Sequence, residues 1–374
     1  MISWISCKQN AVNPTSKLER GDEKKFNSIQ YAKGLSIEST EEFTRIEVKR
    51  AWQGATKTYK YLVVPKEKLR TMRIASNQYD AIVTTPIKSL VVTSTTHIPA
   101  LEALEGLDKL VGFPNTQYIS SKSARMRIAS GQIRELGNNE NLNTEMVINL
   151  QPDVVMGFNI ANQNNSYATI KKAHIPVIYN SDWTEETPLG KAEWIKFFGV
   201  LLNKQKEADS IFRQIETSYL KIKKIATQTV SKPTVLSGAL YKDVWYLPAG
   251  ESWAAQFIRD AGGKYIYNNT AGSGSLSLSL ESVLEKGQNT DIWIAPAQFK
   301  SYHAMHSANA HYTQFKAFND KRIYTFANTQ GATGGLLYYE LGPQRPDLIL
   351  KDLVHYFHPE ILPNHSPYFF TPLK

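Results

Sequence analysis

The densest group of potential metal ligands in this sequence is a set of three histidines. His303 and His306 have the i, i+3 spacing that places both side chains on one face of a helix, and His311 follows soon after. A metal site needs further ligands that converge on the same point, and nothing in the spacing requires His311 or Tyr302 to supply them. We therefore predict no metal site and expect exposed histidines at a lobe edge. The alternative is that they face a cleft and contact a bound metal complex.

Signatures of common enzyme chemistry are missing from the sequence. It has no G-x-S-x-G elbow, no G-x-x-x-x-G-K-[ST] loop, no H-E-x-x-H motif and no G-x-G-x-x-G after a strand. Its one cysteine, Cys7, is too close to the start and too isolated to be a catalytic nucleophile, and it excludes an internal disulfide. We predict no catalytic residue and no cofactor. A binding protein is favoured, with an enzyme on a two-lobed α/β scaffold as the alternative from another class.

Two stretches of the chain repeat one arrangement of residue types. Asn143 and Glu145 precede a short helical pattern, an Asp and an apolar run, and Ser279 and Glu281 do the same further along. Asn or Ser supplies a side-chain oxygen to the first helical turn, and a glutamate there is favoured by the helix dipole. The repetition predicts two lobes of similar build, each with one exposed Glu. The structural alternative is that both acids only stabilise helix N-termini.

Polar and aromatic side chains follow several predicted strands, where ligand crevices of α/β sheets form. Flat rings suit large planar ligands, and Arg125 or Arg127 would pair with an anionic one. For each residue, a role in the core or on the surface is the alternative. The candidate ligand-binding residues are Thr95, Thr96, His97, Tyr118, Arg125, Phe158, Asn159, Tyr241, Trp245, Tyr246, Trp253, Gln298, Tyr302 and Tyr338.

The elements that would position these residues form two series of alternating strands and helices. Strands are predicted at 90–93, 110–113, 154–158 and 177–179, and again at 234–236, 244–247, 292–295 and 323–326. This pattern predicts an α/β fold with mainly parallel sheets. A helical region from 188 to about 227 lies between the two series. Its second helix, from 204, has a continuous apolar stripe without a Gly or Pro hinge and is long enough to join two lobes.

The domain organisation follows from these elements. We predict a signal remnant and tether at 1–30, an N-terminal α/β lobe at 31–187 with an antiparallel β-hairpin at 31–65, a connecting helix at 188–228 and a C-terminal α/β lobe at 229–374. The start resembles the end of a bacterial lipoprotein signal, with an apolar residue, small residues and then Cys7. This favours a truncated signal, lipidation at Cys7 and a flexible tether at 8–30. Because few residues precede the cysteine, the alternative is that it is incidental.

Composition narrows the range of partners. The chain has 374 residues, of which 42% are hydrophobic and 21% charged, so it can bury proper cores. Its net charge of +9 would suit nucleic acid, an anionic membrane surface or acidic ligands. The lysines are scattered, however, and the group at Lys221, Lys223 and Lys224 is typical of a solvated helix face. No nucleic-acid binding is predicted.

Over roughly 87–362 the chain resembles the substrate-binding proteins of bacterial ABC importers for ferric siderophores, haem and cobalamin. The stretch at 143–156 is similar to the family's N-x-E-x-hydrophobic-x-x-L-x-P-D signature. The order of the remaining similar segments strengthens the resemblance. They are the helix and strand at 101–112, the start of the connecting helix at 188–209, Ala261-Gly262-Gly263, the helix–strand step at 315–324 and the closing helix from Arg345 to Glu360.

The resemblance implies two lobes on one rigid helix, a ligand cleft between them and small hinge motion. It also implies that Glu145 and Glu281, one from each lobe, dock onto arginines of an ABC permease. A monomer, lipid-anchored through Cys7 on the periplasmic side of the cell envelope, is expected. A ferric siderophore is the first choice of ligand, haem the second and cobalamin the third. Cobalamin-binding members tend to carry tryptophans just before the glutamate motifs, whereas 137–140 and 272–275 contain no aromatic residue.

Overall fold

A computed structural model describes residues 26–72, 74–158 and 165–374 of the chain. The first sheet has five strands in the order β1-β2-β3-β4-β5, antiparallel except that β4 and β5 run parallel. The predicted hairpin at 31–65 is therefore part of a larger sheet, since it gains a strand at each edge. The elements are β1 (Phe26–Asn27), β2 (Leu35–Ser39), β3 (Thr44–Val48), β4 (Tyr59–Pro65), the short helix α1 (Lys66–Leu69) and β5 (Ala81–Thr85).

Residues 26–30, which were predicted to belong to the tether, are part of this lobe. The backbone N–H groups of residues 30–32 donate to the buried carboxylate of Glu193, and those of residues 33 and 34 donate to Glu185. Glu193 is also paired with Lys196 at 3.0 Å. Two acids from a later part of the chain thus accept hydrogen bonds from five consecutive N–H groups. This is a tertiary contact that no local sequence pattern predicts. The rest of the predicted tether, including Cys7, lies outside the described residues.

The second sheet of the first lobe is wholly parallel, as predicted, with strand order β10-β9-β6-β7-β8. Its strands are short, apolar and mostly buried on both faces, as expected where helices cover a parallel sheet. The elements are β6 (Leu90–Val92), α2 (His97–Ala103), β7 (Leu110–Phe113), α3 (Lys122–Ala129), β8 (Arg134–Glu135), α4 (Thr144–Leu150), β9 (Val154–Gly157), α5 (Asn165–Lys172) and β10 (Val177–Tyr179).

Three consecutive helices connect the lobes: α6 (Pro188–Glu193), α7 (Ile195–Leu202) and α8 (Gln205–Thr227). The Thr187 hydroxyl accepts a hydrogen bond from the Gly190 N–H, and Pro188 occupies the first turn, where a missing N–H costs nothing. Asn203, at φ +57°, ends α7. The predicted long helix is confirmed, since α8 has 23 residues and spans about 35 Å.

One helix contributes to both hydrophobic cores. Phe212 and Ile215 of α8 pack in the core of the first lobe, and Tyr219 and Ile222 pack in the core of the second. The transition takes a single turn of one unbroken helix. Relative rotation of the lobes would therefore bend α8 or strip side chains from one core, and both cost free energy.

The second lobe contains a five-stranded sheet of order β14-β11-β16-β17-β18, parallel except for β18, and a small antiparallel sheet of order β12-β13-β15. Its elements are β11 (Thr234–Ser237), β12 (Ala239–Tyr241), β13 (Val244–Pro248), α9 (Trp253–Asp260), β14 (Lys264–Tyr265), β15 (Ser275–Leu278), α10 (Leu280–Gly287), β16 (Ile292–Ile294), α11 (Tyr302–Ala308), α12 (Lys316–Asn319), β17 (Ile323–Thr325), α13 (Leu337–Glu340), α14 (Pro346–Phe357) and β18 (Thr371–Pro372).

The repeated sequence stretches form the same unit in each lobe. The Asn143 side chain caps α4 by accepting from the Met146 N–H, and Ser279 caps α10 in the same way. The aspartate that precedes each following strand also has the same role. Asp153 accepts from the Lys88 and Ser89 N–H groups ahead of β6, and Asp291 accepts from the Thr234 N–H at the start of β11. Each unit therefore joins a capped helix to two adjacent strands.

Candidate ligand-binding cleft

Loops at the carboxyl ends of strands from both lobes surround a cavity of about 490 Å³. This volume lies within the range of small-molecule sites in proteins. The first lobe contributes residues that follow β6, β7 and β9, together with the turn before α4. The second lobe contributes residues that follow β16 and β17. The lining residues are Thr93, Ser94, Thr95, Phe113, Pro114, Asn115, Tyr118, Asn139, Glu140, Phe158, Gln298, Gly334, Gly335, Leu336 and Tyr339.

The wall from the first lobe is mainly polar and is held in place by its own hydrogen bonds. The Thr93 hydroxyl accepts from the Phe158 N–H at 2.8 Å and lies 3.1 Å from the Tyr167 hydroxyl. The Asn139 side-chain amide donates to the Phe158 carbonyl at 3.2 Å. These bonds tie the loops after β6 and β9 to the turn before α4, so this wall is formed before any ligand arrives.

The second lobe adds Tyr339 to the cavity and contains its own recess of about 400 Å³ beside it. The lining of this recess includes Trp253, Phe326, Tyr338 and Tyr339, and we call it the aromatic wall. Tyr338 stacks on Phe326 at 4.4 Å between ring centroids and on Trp253 at 5.8 Å. Burial raises the pKa of the Tyr338 hydroxyl, so it stays neutral at physiological pH. Tyr339 lines both the recess and the cavity between the lobes, which makes the two spaces adjoin. Tyr241 and Tyr246 complete the outer part of the recess.

The lobes touch each other beside the cavity. The carboxylate of Glu340 accepts from the N–H groups of Ser120 and Ser121, at 2.6 and 2.9 Å, across the cleft. Burial raises the pKa of Glu340 to about 7, against the opposing effect of those two N–H donors. Gly335 allows the close approach, because a Cβ there would lie 2.3 Å from the Tyr118 carbonyl oxygen. We call this contact between Glu340 and residues 120–121 the inter-lobe latch.

A buried lysine lies behind the aromatic wall. The Lys191 ammonium donates to the carbonyls of Asp182 and Trp183, at 3.1 and 2.9 Å, and lies 5.2 Å from the Trp253 ring centroid. Burial lowers the pKa of Lys191 to about 8 and raises that of the Asp182 carboxyl. This cation supports the ring of Trp253 from the protein side.

Eight of the predicted ligand-binding residues line the two spaces. Thr95, Tyr118, Phe158 and Gln298 line the cavity between the lobes. The other four line the aromatic recess, and they are Tyr241, Tyr246, Trp253 and Tyr338. The rule that crevices form at strand ends therefore located the cleft. Asn159 lies outside the described residues.

Three predicted residues of the first lobe lie behind the wall. The Thr96 hydroxyl lies 2.9 Å from the Ser94 hydroxyl, so it supports the loop. His97 is wholly buried against Phe198, where burial lowers the pKa of its imidazole to about 3. Arg125 donates to the Thr116 carbonyl at 2.6 Å, so its guanidinium is engaged by the backbone. These placements correct the expectation that the three side chains face the ligand.

Two predicted residues of the second lobe are also placed elsewhere. Trp245 is wholly buried, stacks on Trp293 at 5.2 Å and donates its indole N–H to the Ser237 carbonyl, so it belongs to the core. Tyr302 packs on Phe318, and its hydroxyl accepts from the N–H of Ile323, at the amino end of β17. Since the cleft forms at the carboxyl ends of strands, Tyr302 is at the wrong end of the sheet.

Several lining residues were not among the sequence candidates. Asn115 follows β7, and Gly334, Gly335 and Tyr339 come from the long connection between β17 and α14. The strand-end rule could have included Asn115. No local pattern identifies the 334–339 segment, because its place in the cleft depends on contact between the lobes.

The three histidines are exposed, as expected. His303 and His306 lie on α11, and the ring of His311 bonds the Gln314 side chain at 2.7 Å. Across the residues that the structure describes, no group of three or more His, Cys, Asp or Glu side chains is placed to hold a metal ion.

Glu145 and Glu281 are both exposed in the first turn of their helices. Because a helix and the strand that follows it run in opposite directions, these first turns lie at the cleft edge of each sheet. Hydrogen bonds from its own backbone N–H and from the Ser279 hydroxyl lower the pKa of Glu281, and His311 adds to the effect. Both acids thus lie on the rim of the cleft.

A larger cavity of about 820 Å³ lies along α8. It is lined by the polar face of that helix and by Lys351, and no strand end contributes to it. We therefore assign the candidate site to the cleft, where the loops of both lobes converge.

No helix in the described part of the chain has the length and apolarity that crossing a membrane requires.

Comparison with known proteins identifies the family and the fold. A family model described as "Periplasmic binding protein" matches residues 90–329. An uncharacterized lipoprotein of Methanocaldococcus jannaschii is 26% identical over 298 residues, covering 77% of this chain and 69% of the relative. A periplasmic haem-binding protein of Pseudomonas aeruginosa has the same fold, with a TM-score of 0.56 and 19% identity, covering 77% of this chain and 98% of the other. A possible iron-binding, periplasmic solute-binding protein of Staphylococcus epidermidis gives a TM-score of 0.53 and 18% identity, covering 73% of this chain and all of the other.

Proposed function

This chain belongs to the periplasmic binding protein family, and on that premise we propose that it captures a ferric siderophore and delivers it to an ABC permease. The family consists of solute-binding proteins and not of enzymes, which confirms the prediction made from the missing catalytic motifs. The two-lobed α/β architecture on one long helix is likewise confirmed.

The observation that carries the proposal is the contrast between the mainly polar residues that the first lobe places in the cavity and the aromatic recess that adjoins it. A metal complex of this kind presents oxygen atoms around the iron and a broad organic surface outside it. Hydroxyl and amide groups of the first lobe, such as those of Thr95 and Asn115, suit the oxygens. The rings of Trp253, Tyr338 and Tyr339 suit the organic surface.

Haem and cobalamin are the alternatives within the same family. Haem is favoured by the tyrosines at the cleft, because a tyrosine oxygen can ligate haem iron. Tyr118 and Tyr339 are 58% and 50% exposed and line the cavity, so either hydroxyl could reach a bound metal. Cobalamin is less well supported, since the segments before both glutamate helices line the spaces with Asn139, Glu140 and 273–275 and contribute no ring.

Delivery to the permease is assigned to Glu145 and Glu281. Each is an exposed carboxylate on the cleft rim of its own lobe, and neither has an ion-pair partner among the described residues. Charged groups at the rim of an interface act mainly in partner recognition. Two such acids, one from each lobe, match a permease that presents a pair of basic side chains.

Membrane attachment is assigned to a lipid on Cys7 of the precursor. The similarity to an archaeal lipoprotein supports this assignment. The test is metabolic labelling with a radioactive lipid precursor, followed by fractionation. A Cys7→Ser protein should lose both the label and membrane association, and a variant that stays on the membrane would contradict the anchor.

A titration panel tests the ligand. A ferric siderophore, haemin and cyanocobalamin are each titrated into the purified protein, and tryptophan fluorescence is followed. Trp253 lines the recess, so quenching should accompany occupancy. Saturable quenching by the siderophore at the lowest concentration is expected. Tighter binding of haemin or cyanocobalamin would identify that compound, and not a siderophore, as the ligand.

A further inference from the structure

The cleft has an unusual charge for this protein. The chain carries a net charge of +9, yet no Lys, Arg or His is among the described residues that line the cavity or its aromatic recess. The lining contains a single acid, Glu140, which is exposed at the turn before α4. Residues 159–164, which follow Phe158, lie outside the described residues, and their sequence contains no charged side chain.

Three cations lie beside residues of the lining, and each is engaged by another group or solvated. Arg125 is bonded to the Thr116 carbonyl, and Lys191 is held by two carbonyls behind Trp253. Lys242 is exposed on the turn between β12 and β13, with its ammonium 5.8 Å from the Tyr241 ring centroid. Water and salt screen a charge in that position. None of the three lines the cavity or the recess.

We propose that the cleft selects metal complexes that are uncharged or cationic and discriminates against polyanionic ones; this deepens the proposed function and rests on it. Moving a polyanion from water into a site without cations removes its hydration and supplies no opposite charge. Glu140 adds repulsion at the entrance. Neutral hydroxyl, amide and aromatic groups, by contrast, are sufficient for a complex whose metal charge is balanced by its own ligands.

Ferric siderophores allow this inference to be tested at nearly constant size. In ferrichrome, three singly negative hydroxamates balance Fe³⁺, so the complex is neutral. Ferrioxamine B has the same iron coordination and an additional ammonium group. Ferric enterobactin has three doubly negative catecholates and is therefore triply negative. The three complexes are titrated into the full-length protein by tryptophan quenching. Ferrichrome and ferrioxamine B should bind at least about tenfold more tightly than ferric enterobactin.

Charge reversal at the entrance sharpens the test. Glu140→Lys should reduce the ratio of the dissociation constants of ferric enterobactin and ferrichrome by about fivefold or more, because the side chain at position 140 would then attract the anionic complex instead of repelling it. The matched control is Glu41→Lys, which makes the same charge change at an exposed position between β2 and β3. It should leave the ratio of the two dissociation constants unchanged. Both positions are exposed, so neither variant should unfold.

The outcomes separate this inference from the proposed function. Ferric enterobactin that binds as tightly as ferrichrome would overturn the charge selectivity and leave siderophore capture intact. Equal effects of the two lysine variants would also overturn it, because the selectivity would then follow net charge and not the cleft. If no complex in the panel binds, the proposal of siderophore capture and the charge selectivity that rests on it are both wrong.

Discussion

The two lobes share a local unit but present different walls to the cleft. In each, a capped helix with an exposed glutamate leads through an aspartate into a buried parallel strand. The first lobe nevertheless offers mainly hydroxyl and amide groups, and the second offers stacked rings. The repeated backbone decides where a ligand can bind, and the side chains beyond the strand ends decide what it can be.

Part of the difference comes from the small antiparallel sheet of the second lobe. The antiparallel strands β12, β13 and β15 lie between β11 and α10 and carry Tyr241 and Tyr246 into the recess. The corresponding part of the first lobe continues its parallel sheet with α2, β7 and α3.

The largest effect is expected where the lobes are most alike. Reversing both rim acids, Glu145→Arg with Glu281→Arg, should abolish uptake by cells or vesicles that contain the cognate permease and leave ligand affinity unchanged, because the proposed role of these acids is to contact the partner and not the ligand. Each single reversal should give an intermediate loss if the lobes contribute equally. Glu285→Arg, on the exposed side of the same α10, is the control. Surviving transport in the double variant, or a collapse of ligand binding, would refute the assignment.

Adjacent residues of β13 separate packing from binding within the aromatic wall. Trp245→Ala should lower the free energy of unfolding by about 3–5 kcal/mol, since a wholly buried indole leaves a cavity. Tyr246 is 44% exposed, on the opposite face of the strand, so Tyr246→Ala should cost less than about 1 kcal/mol and weaken ligand binding instead. Denaturant unfolding and fluorescence titration measure the pair. Equal destabilisation by both variants would show that the faces are not distinct.

A single ring of the first wall provides the matching test. Tyr118 is 58% exposed and lines the cavity, so Tyr118→Ala should weaken ligand binding about tenfold with little change in unfolding free energy. Tyr368→Ala is the control, because that ring is similarly exposed and lines neither space. If Tyr118→Ala and Tyr368→Ala bind ligand with equal affinity, the Tyr118 ring does not contribute to binding.

The inter-lobe latch should make stability depend on pH. Glu340 has a pKa of about 7 in the folded protein, above the usual value of 4.5, mainly because of burial. Between these values the folded state retains a proton that the unfolded state has lost, so unfolding free energy should fall as pH rises from about 4.5 through about 7. Glu340→Gln should flatten this slope. The slope of unfolding free energy against pH should correspond to at most about one proton, and denaturant unfolding across pH 4 to 8 measures it. The same slope in Glu340→Gln as in the parent would count against the latch carboxyl.

The smallest effect is expected in the separation of the lobes. Because α8 contributes to both cores without a break, ligand should change the radius of gyration only slightly, by less than about 1 Å. Small-angle scattering with and without ligand checks this. A large compaction would mean that α8 bends or detaches from one core.

Much of the architecture could be read from local patterns. Apolar runs bounded by turns located all four predicted strands in each lobe, and the apolar stripe after 204 located α8. Cap residues with a following glutamate identified both repeated units. These signals are local because strand burial, helix periodicity and capping each depend on residues close in sequence. The strand-end rule then indicated eight of the residues that line the cavity and its recess.

Tertiary structure decided which candidates line the cleft and its recess. Trp245 and Tyr246 are both aromatic, so alternation along β13 does not reveal which one is covered; the packing of Trp293 and Phe315 behind the strand does. His97 and Arg125 follow strands as required but turn into the protein. Tyr339 enters the cleft only because another lobe is present.

The sequence by itself determined the two-lobed α/β fold, the connecting helix and the paired rim acids, because their signals repeat over short stretches of chain. The structure alone decided the unlike walls, the capture of residues 30–34 by two buried glutamates and the latch from Glu340 to Ser120 and Ser121. Those contacts join residues far apart in the chain. Whether such groups meet depends on how whole elements pack, and no local spacing records that.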